Sequence, residues 1–193
     1  NIKTVEKVIY LTFDDGPHPI ATNFVLDELK KYNAKATFFC IGKNVEEHPD
    51  VYQRIISEGH AVGNHTYNHL NGWDVSDADY LNNIYKAKQV IDSNLFRPPY
   101  GRITKFQLSQ LPAEKYKLKP IMWSVLSGDF DEKINGEQCY LTVAKNSRPG
   151  SVVVFHDSEK AMERLQLALP LVLKYFTEKG FEMKCITNKE IGL

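Results

Sequence analysis

Short runs of β-branched and aromatic residues alternate with longer segments of helical periodicity along almost the whole chain, and that alternation limits the fold more than any other feature. VIYLTF at 8–13 reads as a strand, and the segment from Ile20 to Tyr32, with Val25, Leu26 and Leu29 on one face, reads as the helix after it. ATFFCIG at 36–42, HAVGNH at 60–65, FRPPY at 96–100, PIMWSV at 120–125, SVVVFHD at 151–157 and FEMKCIT at 181–187 supply six more strands. Helices are expected between them over Val45 to Glu58, Ser76 to Leu95, 103–116, 136–146 and Ala161 to Lys179. Ser76 is the cap of the second, with Asp79 three positions on, and Gly180 ends the last. Strands separated by helices run parallel and need cover, which leaves an open doubly wound sheet or a barrel closed or nearly closed on itself. Seven such units in 193 residues favour the barrel, so the expected fold is α/β, a compact and distorted barrel of TIM-like type.

A chain of this length closes one substantial core and is thin for two, so one domain over 1–193 is expected. Lysine plus arginine number 24 and balance 24 aspartates plus glutamates, so no global field draws the chain to nucleic acid or to an anionic membrane. No stretch approaches the roughly 18 to 20 apolar residues of a membrane helix, and NIKTVEKV carries no signal-peptide core. Asn1 is not a start methionine, so a processed or trimmed chain is consistent with the sequence and secretion stays open. Cys40, Cys139 and Cys185 are too few for a disulfide framework and show no C-x-x-C spacing. Cys40 and Cys185, inside apolar runs, are expected to be buried. Oligomeric state is not legible, and a monomer is the default.

The chemistry-bearing residues collect at the carboxyl ends of the strands. Asp14 and Asp15 follow the first strand, His65 and His69 the third, Arg97 to Arg102 the fourth, Asp129 the fifth, and His156 with Asp157 the sixth. In parallel α/β architectures those ends form the ligand-binding rim. In TFDDGP at 12–17 two adjacent carboxylates are easier to hold beside a cation, although aspartates next to Gly16 also suit a plain turn. The histidines of HTYNH at 65–69, four apart, would project from one side of a helical turn and share one ion. One carboxylate and two histidines make a three-ligand site with open positions, suited to zinc or a similar divalent ion that polarises a carbonyl and acidifies water. A second carboxylate, Asp14 or Asp15, would take the water's proton, and His156 across the bowl would protonate the leaving group. His18, His48 and His60 lack comparable partners and read as structural or exposed.

With these residues in view, the chain resembles the polysaccharide deacetylase family, carbohydrate esterase family four, across essentially its whole length. TFDDGP, HTYNH, RPPYG and VFHD are similar, in order and spacing, to the first, second, third and fifth of that family's five motifs. The resemblance implies a distorted barrel of seven or eight β/α units and hydrolysis of acetyl groups from N-acetylglucosamine residues of peptidoglycan or a chitin-like glycan. It implies one divalent metal ion, zinc first, then cobalt, nickel or manganese, on Asp15, His65 and His69. Asp14 would be the general base and His156 the general acid, with Arg97 orienting and charge-stabilising Asp14 and the backbone amide of Tyr100 supporting the oxyanion. Family substrates lie in cell walls, which implies extracytoplasmic placement.

The fourth motif departs from the family's usual Asp-x-x-Asp-Trp. LSGDF at 126–130 puts Leu126 in place of the first acid and Phe130 in place of the tryptophan, while Asp129 remains. Asp129 is expected to pair with His156 and raise its pKa. Phe130 and Val154 would line the slot for the acetyl methyl. An O-acetyl xylan esterase of the same family would use the same proton transfers. A carbohydrate-binding relic is the reading from another class, motivated by the altered motif and by Tyr67, Trp73 and Tyr100 near the rim. A non-haem iron oxygenase would share the two-histidine, one-carboxylate set, but the extra acid and base argue against it.

Overall fold

The computed structural model describes residues 1–187. Among these residues eight parallel strands form one sheet: β1 (Val8–Asp14), β2 (Thr37–Cys40), β3 (Ala61–Asn64), β4 (Leu95–Phe96), β5 (Lys119–Pro120), β6 (Val125–Leu126), β7 (Val152–His156) and β8 (Glu182–Met183). Their order is β5-β4-β3-β2-β1-β7-β6, with β8 pairing the first residues of β1, so the sheet curls into a barrel left open between β5 and β6. Within the described residues seven α-helices flank it: α1 (Ala21–Lys31), α2 (Gly42–Glu47), α3 (Pro49–Ser57), α4 (Asp77–Lys88), α5 (Lys105–Gln110), α6 (Gly136–Asn146) and α7 (Met162–Glu178).

The period of two along β1 divides its residues between two environments. Ile9, Leu11 and Phe13 face the helices, where they join Val25, Leu26 and Leu29 of α1 and Leu165, Leu169 and Val172 of α7 in the main core. Each fully buried side chain of this kind is worth about 1.5–3 kcal/mol of transfer free energy. Val8 and Tyr10 face inward with Val152 and Phe39, and the same face continues to Thr12 and Asp14. The barrel interior is thus apolar at its base and polar at the carboxyl end of the strands. β7 repeats the pattern, with Val153 and Phe155 in the main core and Val154 and His156 turned toward the mouth.

Several elements differ from expectation. The helix expected over Val45 to Glu58 is two helices, because Pro49 has no N–H to continue α2 and instead opens α3 at its first position. α4 stops at Lys88 rather than reaching Leu95: the Ser93 hydroxyl donates to Val62 O at 2.6 Å and accepts from Leu95 N at 3.0 Å, replacing helical bonds. Its start is as expected, with the Ser76 hydroxyl accepting from Asp79 N at 3.1 Å. α5 covers only Lys105–Gln110, ending ahead of Leu111-Pro112. PIMWSV is not one strand. β5 pairs with β4 at one edge and β6 with β7 at the other, and Ile121–Ser124 crosses the open side between them, which makes eight strands instead of seven. FEMKCIT contributes only two residues to pairing. Cys40 is buried as expected, whereas Cys185 is only half-buried.

Candidate active site

The inward face of β1 delivers Asp14 to the barrel mouth, where it is almost fully buried. Arg97, just after β4 and fully buried, donates from Nη1 to Asp14 Oδ1 at 2.7 Å and to Thr12 Oγ1 at 2.7 Å, while its Nε donates to Ile121 O at 3.0 Å. The guanidinium also lies 4.0 Å over the Phe39 ring. A buried charge of this kind is tolerated because it is paired and hydrogen-bonded, and the same bonds fix the Asp14 carboxylate in place.

Asp15 follows with a left-handed backbone (φ 82) that turns its side chain away from Asp14's, toward the loop after β3. His65 and His69 reach it from that loop, and they do not share a helical turn. Thr66 (φ 62) and His69 (φ 55) break any helix, and the loop's amides are answered instead by side chains: Asn64 Oδ1 accepts from Thr66 N, and Asn83 Oδ1 from Tyr67 N and Asn68 N. His65 Nδ1 donates to the carbonyl of Arg97 at 2.8 Å, which leaves the Nε2 lone pair facing Asp15. Asp15 Oδ1 lies 3.6 Å from His65 Nε2 and 3.1 Å from His69 Nε2. Burial pushes the His65 imidazole down to about 4, so it is neutral at pH 7, as a ligand must be. Burial would raise the Asp15 carboxyl, but the His69, His65 and His156 imidazoles outweigh it and hold it at about 2.

These atoms fit a divalent cation. Ligands at roughly 2.0–2.1 Å from a tetrahedral zinc stand about 3.3 Å from one another, close to the two spacings above, and all three ligand atoms lie within 4.8 Å of one another. Among the described residues, the buried Asp15 Oδ1 accepts no well-aligned hydrogen bond despite these close imidazole nitrogens, and coordination would satisfy it.

His156 ends β7 across the mouth. Its Nδ1 lies 2.8 Å from Asp129 Oδ1 and its backbone N donates to Asp129 Oδ2 at 2.7 Å, while the Ser127 hydroxyl donates to Asp129 Oδ1 at 2.9 Å. Burial alone would lower the imidazole's pKa, but the hydrogen bond and charge of Asp129, aided by Asp15 and Asp14, raise it to about 9. Phe130 packs edge-on against His156 at 5.4 Å. Asp14, Asp15, His65, His69 and His156 line one pocket of about 440 Å3, whose apolar wall is Trp123, Leu126, Phe130 and Val154. Leu126, standing where the family pattern has an acid, extends that wall. Tyr100 lines the pocket too, with its ring 4.7 Å from that of His69.

Other expected residues lie elsewhere. Tyr67 is in the core, with its hydroxyl donating to Glu46 at 2.5 Å, so it is not a rim aromatic; Trp73 and Tyr100 are exposed. His18 Nδ1 accepts from Ala21 N at 3.1 Å at the start of α1, and buried His60 accepts from Ala36 N at 3.1 Å, both structural.

Asp157 was visible at the rim in the sequence, but nothing there gave it a partner. It is fully buried, its Oδ1 accepts from Gly16 N at 3.2 Å, its Oδ2 accepts from the Thr22 hydroxyl, and its own N donates to Asp14 O at 3.1 Å. Burial pushes its carboxyl up to about 8. It ties the Asp14-Asp15 turn to β7 at a point with no spare room, since a Cβ on Gly16 would lie 2.0 Å from Asp157 Oδ2. Gly16→Ala is therefore expected to lower stability by about 1–3 kcal/mol and to weaken cation binding, read together as a lower denaturant midpoint and a calorimetric Kd.

A parallel α/β barrel with a candidate two-histidine, one-carboxylate cation site in its carboxyl-end pocket defines the class of this molecule. The family model described as polysaccharide deacetylase matches residues 1–117, and the chain belongs to that family. Two peptidoglycan-N-acetylglucosamine deacetylases of Bacillus cereus are similar to it. One is 38% identical over 156 residues, covering 78% of this chain and 56% of that protein. The other is 34% identical over 189 residues, covering 95% and 88%. The crystal structure of the Bc1960 peptidoglycan N-acetylglucosamine deacetylase superposes with a TM-score of 0.88 at 33% identity, over 94% of this chain and 87% of that one.

Proposed function

We propose that this chain is a metal-dependent hydrolase that removes acetyl groups from N-acetylglucosamine residues of a cell-wall glycan, peptidoglycan first, acting outside the cytoplasm as one catalytic domain with zinc as its ion. The observation that carries the proposal is the pairing of opposites across one pocket: Asp14 bonded to Arg97 at 2.7 Å, and His156 to Asp129 at 2.8 Å, with Asp15, His65 and His69 between. The similarity to named peptidoglycan deacetylases supports the substrate. Among the described residues no helix is long and apolar enough to cross a membrane.

In this reading Asp15, His65 and His69 hold the ion, which when bound polarises the acetyl carbonyl and makes water more acidic. Asp14 takes the proton of the attacking water; its buried bond to Arg97 keeps the accepting carboxylate aimed. His156, whose imidazole the Asp129 hydrogen bond and charge hold toward the protonated form, donates from Nε2 to the departing amine nitrogen, which leaves poorly unless protonated. The backbone N–H of Tyr100 donates to the oxygen on which charge develops. Leu126, Phe130 and Val154 enclose the methyl group and exclude water from that side.

The test is acetate release from peptidoglycan, chitooligosaccharides and acetylated xylan. Chelation is expected to abolish release and zinc to restore it, and the zinc-loaded chain should be more stable than the stripped one by about 2.7 kcal/mol at a hundredfold excess over Kd. Release that survives complete chelation, with no change in thermal midpoint, would sink the metal-dependent reading.

A further inference from the structure

We propose that Arg102, mounted on the indole of Trp73 at the mouth of the pocket, is a subsite for a carboxylate carried by the glycan. The inference takes from the deacetylase reading only that a glycan occupies this pocket.

Every other charge facing the pocket is answered by a neighbour. Asp14 meets Arg97, Asp15 meets His65 and His69, His156 meets Asp129, and Lys160 lies 3.8 Å from Glu132. Arg102 lines the same pocket and, among the described residues, its guanidinium makes no ion pair or hydrogen bond. Its position is nevertheless built. The guanidinium carbon lies 5.1 Å from the centre of the Trp73 ring, an arrangement that orients a cation while leaving its edge N–H groups free.

Trp73 is fixed in turn: its indole N–H donates to Ile103 O at 3.3 Å, and its backbone N to Asn71 Oδ1 at 3.0 Å. Gln107 Nε2 donates to Gly72 O at 2.8 Å, and a Cβ on Gly72 would lie 2.7 Å from Arg102 O. The loop before α4 is therefore seated directly on the Arg102 backbone.

The chemistry of this unit favours an acid over a neutral sugar. A neutral ring stacks on a bare aromatic face, but here the cation covers a face of an indole that is 63% exposed. An unanswered guanidinium fork matches the two oxygens of a carboxylate. Because Arg102 shares the pocket with the catalytic side chains, that carboxylate belongs on the acetamido sugar or its neighbour, as an acid ether on the ring or as part of an attached peptide.

The experiment is calorimetric titration with chelator present, so that nothing turns over. The probes are peptide-free strands alternating N-acetylglucosamine and N-acetylmuramic acid, the same strands with the carboxylate amidated, peptide-bearing strands, and chitooligosaccharides of equal length. Free-carboxylate strands are expected to bind about tenfold tighter than amidated ones, a preference that shrinks in raised salt. Arg102→Gln should bring the ratio within about twofold, and Trp73→Ala should reduce it. A preference seen only with peptide-bearing strands assigns the carboxylate to the peptide. No preference in the unaltered chain, or one that persists undiminished in Arg102→Gln, overturns the subsite. Acetate release assayed separately on the zinc-loaded chain keeps the two readings apart: an intact preference without release counts against deacetylation and not against Arg102.

Discussion

Asp14→Asn is expected to fold, bind its cation and lose roughly 100- to 10,000-fold in acetate release. Asparagine has the shape of aspartate, and its carbonyl oxygen can still accept from Arg97 Nη1, which now stands 2.7 Å from Asp14 Oδ1. What disappears is the capacity to take a proton. The substitution also leaves the Arg97 guanidinium without its counter-charge in a site where it is fully buried, and breaking a buried pair in this way costs about 3–5 kcal/mol of stability. The assay must therefore run where circular dichroism shows both chains folded. Asp15→Ala provides the contrast: it removes a proposed ligand, so its loss of turnover should come with loss of cation affinity in calorimetry, whereas Asp14→Asn should retain that affinity. Turnover within tenfold of the unaltered chain in folded, cation-loaded Asp14→Asn would remove Asp14 as the base.

Where an element's pattern was dictated by local physics, the sequence carried it. The β-branched and aromatic run VIYLTF at 8–13 reads as a strand, and β1 covers it as Val8–Asp14 with every residue buried. Positions depending on distant partners were not legible. The spacing of His65 and His69 suggested a helical turn, but the loop gets its shape from Asn83 on α4, and no local rule announces an asparagine that far away as its support. Tyr67, flanked by two histidines, looked like a rim aromatic until Glu46 and the core claimed it. PIMWSV has the composition of a strand because Ile121 and Trp123 pack in the barrel interior with Val8, Tyr10, Phe39 and Val152. Its backbone nevertheless crosses from one sheet edge to the other, and only the curvature of the whole open barrel decides that. Asp157 is the same kind of omission: its partners, Gly16 and Thr22, lie more than a hundred residues earlier.

Asp129→Asn is expected to move the alkaline limb of the pH–rate profile toward neutrality while leaving the acid limb in place. The His156 imidazole is raised to about 9 against the pull of its own burial, and Asp129 is the largest of the groups that raise it. With that charge gone, burial acts unopposed except by the more distant Asp15 and Asp14, and the pKa falls toward the ordinary value of about 6.5 or below it. At pH 8 an acid with pKa about 9 is some 90% protonated, and one with pKa about 6.5 only about 3%, against about 75% near pH 6, so turnover of Asp129→Asn at pH 8 should fall roughly 25-fold relative to its turnover near pH 6. A cation on Asp15, His65 and His69 would offset the contribution of Asp15 in either chain, so the comparison between the two chains isolates Asp129. Stability should follow the same sign. A group whose folded pKa is raised contributes fully below its unfolded value and loses that contribution as pH rises through the folded one. The unaltered chain should accordingly lose about 3 kcal/mol between pH 6.5 and pH 9 that Asp129→Asn does not lose. Asparagine offers only one acceptor oxygen, so it cannot keep both the Ser127 hydroxyl and the His156 backbone N–H that Asp129 now accepts, and a lower baseline stability accompanies the change. That baseline loss is independent of pH. The displacement of the alkaline limb is therefore the measurement that isolates the charge, and an alkaline limb at the same pH in both chains would mean that the group titrating there is not His156.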